Sequence, residues 1–181
     1  LTLATNDAVA LFVNRAQAVQ PTFSIGEHNA ADIGAIVTGL DGLPLAIELA
    51  AARASVLSPS QLLSRLSERF KLLKGGKDGV TPRQETLKSA IRWSWDLLEP
   101  WEQAALAQLS VFQNGFFMEA AEEVLDLSAW PEAPWSLDVV DSLLDKSLIH
   151  SRKVLGAPRF GMYLSIQDYA SEKLEAGSEL T

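Results

Sequence analysis

The sequence predicts a mainly α protein, a four-helix bundle followed by a winged helix-turn-helix domain with a small β-ribbon. Three observations carry this expectation. Apolar residues recur three and four apart through most of the 181 residues. One Gly-rich, charged stretch, Lys74-Gly75-Gly76-Lys77-Asp78-Gly79, interrupts that period. Near the C-terminus the helical period gives way to two short extended runs around a turn.

Asn6 is the expected cap of a first helix, in which Val9, Phe12, Val13, Ala16 and Val19 share a face until Pro21. Asn29 caps a second, where Ile33, Ile36, Val37 and Leu40 follow the helical period and Asp41-Gly42 stops it. Pro44 suits the first turn of a third helix. That helix runs to Arg53 with an apolar surface interrupted by Glu48, Arg53 and Ser55, so it should be buried on most sides. Ser58-Pro59 starts a fourth, with Leu62, Leu63, Leu66 and Phe70 inward. The linker that follows sets the expected division into a bundle over 1–76 and a winged-helix domain over 77–181.

In the second part, Leu87, Ile91, Trp95 and Leu98 mark a long amphipathic helix ending before Pro100. Helices are expected at about Trp101–Leu109 and Met118–Leu125, and Ser136 caps another in which Leu137, Val140 and Leu144 share a face with Val139 and Leu143 beside it. Leu148–Ser151 and Arg159–Tyr163 read as strands around a Gly156-Ala157-Pro158 turn. Ile166, Tyr169, Ala170 and Leu174 form the last helix.

Charge divides the chain more sharply than hydropathy does. The net charge is −8; residues 1–80 balance seven basic against seven acidic, and residues 81–181 hold eight basic against sixteen acidic. The helix in the recognition position carries Asp138, Asp141 and Asp145 against Lys146, which would repel phosphates. DNA binding through this module is therefore the weaker expectation, with Arg152, Lys153 and Arg159 of the wing its support. No cysteine is present, which excludes disulfides and thiolate metal sites and agrees with a cytoplasmic location. No apolar run approaches the ~18 residues of a membrane span. The chain begins at Leu1, so it is expected to be a piece of something longer.

No catalytic constellation appears. Gly76-Lys77 is the only Gly-Lys pair, Asp78 stands where a phosphate-binding loop needs Ser or Thr, and no strand precedes it. His28 and His150 lack the ligand spacing of a metal site, and Glu122-Glu123 reads as a solvated helix face. The expectation is a non-enzymatic chain with no catalytic and no metal-binding residues. Trp130-Pro131 through Pro134-Trp135 forms an aromatic loop, read first as a lid on the core and second as a docking surface.

Gly42-Leu43-Pro44-Leu45-Ala46 closely resembles the GLPLA motif of NB-ARC and related STAND-type ATPases. The likeness continues through Leu57-Ser58-Pro59-Ser60-Gln61-Leu62-Leu63, Arg83-Gln84-Glu85-Thr86-Leu87, Trp93-Ser94-Trp95-Asp96-Leu97-Leu98, Leu109–Phe116, Leu144–Ile149 and Asp168-Tyr169-Ala170. These segments stand in the family's order over nearly the whole chain. They are most similar to the ATPase region of large bacterial transcriptional regulators of LuxR or antibiotic-regulatory type. The resemblance implies a helical subdomain and a winged helix that lean on a P-loop domain of the same chain. Together these would complete an ATP or ADP site, with Mg held in the intact parent. It implies that Pro44, with Gly42 and Leu43, touches adenine; a proline offers a rigid apolar face without an N–H. Plant and animal relatives carry a Met-His-Asp motif whose histidine reaches the phosphates, and alignment puts Met162, Tyr163 and Leu164 there, so Tyr163 is the remaining candidate donor. Protein partners or self-association are the expected contacts beyond that domain.

Overall fold

The computed structural model describes residues 3–73 and 81–178. Among these are nine α-helices, one 3-10 turn and one two-stranded antiparallel sheet, in the order expected. Two compact units emerge, Leu1–Ser94 and Trp95–Thr181. The expected linker at 74–79 lies outside the described residues; the division between units falls within a helix, at Ser94–Trp95.

The first unit holds α1 (Leu3–Val19), α2 (Ala30–Gly39), α3 (Pro44–Ala51), a 3-10 turn (Ala52–Ser55), α4 (Pro59–Leu73) and most of α5 (Pro82–Asp96). Helix α1 packs on α2, α3 and the 3-10 turn, and α2 packs on α4. Phe12, Ile33, Ile36, Leu40, Ile47, Leu49 and Leu62 fill the core. Helix α1 starts before Asn6, because no breaker stands among Leu3–Asn6 and Ala4 favours the helix. Asn29 does take the cap position of α2, yet its side chain turns back. Its Oδ1 accepts from the Gly26 N–H at 2.8 Å and its Nδ2 donates to the Ser24 carbonyl at 2.9 Å, tying down the preceding loop. Ser58 caps α4 as expected: its Oγ accepts from the Gln61 N–H while the Gln61 carboxamide oxygen accepts from the Ser58 N–H. Thr81 and Gln84 repeat that arrangement and start α5 five residues before Leu87.

The second unit holds α6 (Pro100–Leu109), α7 (Met118–Val124), α8 (Ser136–Asp145), β1 (His150–Val154), β2 (Ala157–Gly161) and α9 (Leu164–Ser178). Helix α6 packs against α7, α8 and α9 over Leu106, Leu109, Leu143, Leu148 and Ile166. The buried Gln167 side chain donates to the Ser110 and Phe112 carbonyls at 2.8 and 3.1 Å, joining α9 to the end of α6. A single bridge adds Phe116 to the hairpin: its N–H donates to Phe160 at 2.9 Å and its carbonyl accepts from Phe160 at 2.8 Å. Helix, bridge, two helices and hairpin make the winged-helix order.

Three local expectations are corrected here. Ser136 is the first residue of α8 and Trp135 is its cap, since the Trp135 carbonyl already accepts from the Val139 N–H. The core face of α8 is Val139, Val140 and Leu143, which leaves Leu137 exposed. The hairpin turn is Leu155-Gly156, with Ala157 and Pro158 inside β2. Register pairs Lys153 with Pro158 and His150 with Gly161.

Candidate functional site

The expected purine contact sits on the loop between α2 and α3. Leu40 ends α2; the Asp41 N–H bonds to the Thr38 carbonyl and the Gly42 N–H to the Val37 carbonyl, both at 3.0 Å. This is a Schellman turn with Asp41 in the left-handed position at φ 53°. Gly42 follows at φ 65°, and a Cβ placed there would meet nothing within 4 Å. Two successive left-handed residues swing the chain outward. Leu43 then caps α3 in extended conformation and Pro44 opens the helix. Leucine supplies no side-chain oxygen, so the first-turn N–H groups receive no side-chain cap. Gly42 and Pro44 are exposed and Leu43 is half-buried. The turn therefore faces outward from its bundle.

Its foundation is buried. Ala46, Ile47, Leu49, Ala50 and Ala51 are buried beneath it. Asp41 Oδ2 accepts from Thr86 Oγ1 of α5 at 2.8 Å, just before the motif. Past the other end of α3, the buried Arg53 guanidinium donates through Nη2 to the Ser94 carbonyl at 3.0 Å, again on α5. One helix thus braces both flanks of the motif. The sequence marked Arg53 only as an interruption; its bracing partner lies 41 residues away, and no local pattern signals that.

Tyr163 lies in the second unit, at the residue before α9, and is 44% exposed. Its ring packs on His150, centroids 4.9 Å apart. His150, noted in the sequence only for lacking metal-ligand spacing, is half-buried and brought there by its pairing with Gly161. The hairpin register was the available signal, and the misplaced turn concealed it. A polar recess of about 500 Å³ opens between the Thr22–Asp32 stretch and the start of α4. None of Gly42, Leu43, Pro44 or Tyr163 lines it. Among the described residues no group of three or more His, Asp or Glu is placed to hold a metal ion, and no helix is long and apolar enough to cross a membrane.

The recognition-position helix has its one lysine engaged. Lys146 forms an ion pair with the buried Glu102 of α6, which also accepts from Ser142 Oγ at 2.6 Å and from the Glu99 N–H at 2.9 Å. Burial acts to raise the Glu102 pKa, but the hydrogen bonds from Lys146, Ser142 and the Glu99 backbone outweigh it and hold the carboxyl below its ordinary 4.5.

The chain is 42% identical over 176 residues, 97% of its length, to an inferred HTH-type transcriptional regulator of Mycobacterium tuberculosis, of which it covers 20%. The chain is homologous to a segment of such regulators. The Mycobacterium bovis counterpart matches equally well. An uncharacterized protein of Mycobacterium tuberculosis is 38% identical over 175 residues, with 44% of that protein covered. The chain thus spans a fifth to under half the length of these curated relatives. No family model matches it.

Proposed function

We propose that this chain is the accessory regulatory part of a nucleotide-switched signalling ATPase within a transcriptional regulator. Joined to a P-loop domain, it completes the ADP or ATP site and couples nucleotide state to domain rearrangement. The observation that carries this reading is the Pro44 turn: an exposed proline behind two left-handed residues, on a helix buried beneath and braced at both flanks. Such a surface can support a flat purine without shifting. Gly42, Leu43 and Pro44 contact the base; in the second unit, Tyr163 keeps a partly exposed phenol beside His150 that is able to donate to an anion. Phosphate affinity and Mg come from the P-loop domain, and this chain supplies no catalytic group.

A second reading, DNA binding by the winged helix, draws on the likeness to the 42% identical HTH-type transcriptional regulators. Electrostatics oppose it. The unit Trp95–Thr181 holds five basic and fifteen acidic residues, a net −10, and Lys146 is spent on Glu102. Calorimetric titration of ATP into the 181-residue chain should give no saturable binding, and duplex DNA at low salt should give no rise in fluorescence anisotropy. Micromolar ATP affinity in this chain alone contradicts the division of labour proposed here; tight, salt-sensitive DNA binding supports the second reading.

A further inference from the structure

We propose that the second unit pairs with a second copy of itself through its wing tip and the outer face of α8, each seating on the other in a two-fold arrangement. The inference is independent of the nucleotide reading. It begins with Leu155. The hairpin turn Leu155-Gly156 has φ of 51° and 86°, the pattern of a two-residue turn that favours Asn-Gly. A leucine in the left-handed region costs about 1–2 kcal/mol. This one is also fully exposed, so the fold gains no burial in return. A strained residue that contributes nothing to its own unit points to a contact outside it.

The outer face of α8 offers a seat. With Val139, Val140 and Leu143 in the core, Leu137, Asp138 and Asp141 face solvent, and Trp135 at the cap is 84% exposed. An aromatic anchor and a leucine beside two carboxylates suit an apolar knob flanked by cations. The wing is such a knob. Of the unit's five basic residues, Lys146 pairs with Glu102, Arg159 lies over the Phe117 ring and Lys173 over the Tyr169 ring. Arg152 and Lys153 remain, exposed on β1 beside Leu155. One chain therefore displays both halves of a complementary contact. A surface and its complement on the same protomer is what a closed two-fold pair needs, because each contact is then made twice. Duplex DNA would satisfy the wing and be repelled by the aspartates; an unrelated basic partner would leave the strained Leu155 unexplained.

Sedimentation equilibrium of the 181-residue chain tests this. The average mass should rise with concentration from 19.6 kDa toward twice that value. Asp138→Lys with Asp141→Lys, and separately Arg152→Glu with Lys153→Glu, should each weaken association at least tenfold. Mixing the two charge-reversed proteins in equal amounts should restore it, since both contacts again join opposite charges. Leu155→Asn should weaken association while the melting temperature stays equal or rises, because asparagine accepts the left-handed turn. Several results would overturn the proposal: a wild-type chain that stays at 19.6 kDa, a mixture no better than either variant alone, a mass that climbs past two copies, or a Leu155→Asn protein that associates as strongly as wild type.

Discussion

Replacing Gly115 with alanine should unfold or severely loosen the second unit, at a cost above about 3 kcal/mol. Two effects add. Gly115 stands at φ 83°, where an L-residue is strained by about 1–2 kcal/mol. Its Cβ would also lie 2.3 Å from the Phe160 carbonyl oxygen, a backbone atom that cannot swing aside. That oxygen accepts the Phe116 N–H, so relief of the clash breaks the bridge joining Phe116 to the hairpin. It also separates the Phe116 and Phe160 rings, whose centroids lie 5.7 Å apart. Hydrogen exchange should show the Phe116 and Phe160 amides losing protection together. Gly42→Ala supplies the comparison: φ is again positive but the space is open, so only the strain of about 1–2 kcal/mol is expected. Equal losses at both positions would show that the Phe160 contact has no weight.

Glu102→Ala should cost about 3 kcal/mol, the range for breaking a buried ion pair while its partner stays behind. The same carboxylate caps α6 through the Glu99 N–H and receives Ser142 and Lys146 of the α8 end, so one truncation loosens two helices. The Lys146 side chain retains some access to water, which keeps the loss toward the lower end of that range. Replacing Glu102 by leucine together with Lys146 by methionine should recover most of it, because neither charge is then left alone. The pH dependence has a definite sign. The folded pKa of Glu102 lies below the ordinary 4.5, so its contribution is complete above that value and fades as pH falls through the folded pKa. Urea titrations at neutral and acid pH should show the wild type losing this increment on acidification. In Glu102→Ala the increment is absent at both, so a variant with the same acid sensitivity as wild type would refute the assignment.

The helices were legible because each buries one face, and burial writes itself into sequence as period. Ile33, Ile36, Val37 and Leu40 show it in α2, and Ile166, Tyr169 and Ala170 in α9. The Gly42-Leu43-Pro44 turn was legible too, since a left-handed glycine before a helix-opening proline leaves a local signature. Contacts between distant segments were not. Thr86 bracing Asp41, Arg53 reaching Ser94 and Glu102 joining Lys146 span 41 to 45 residues, and each could equally be a solvated side chain in the sequence alone. The hairpin failed for another reason. Gly156-Ala157-Pro158 carries the usual turn residues, while the observed turn places a leucine where asparagine is favoured, so local preference and structure disagree. That disagreement also hid His150 beside Tyr163. Exposure of Trp135 was weighed only as the second possibility, because a large aromatic ring is more often covered than bare.

The nucleotide affinity of the intact protein carrying Pro44→Asp is the most direct probe of the Pro44 turn. A carboxylate at this exposed helix start leaves the buried face of α3 untouched and would remove the flat apolar support proposed for the base. Calorimetry with ADP and ATP should show both affinities falling tenfold or more, about 1.4 kcal/mol, with the melting temperature of the nucleotide-free protein unchanged. Affinities equal to wild type would mean that no purine rests on this turn.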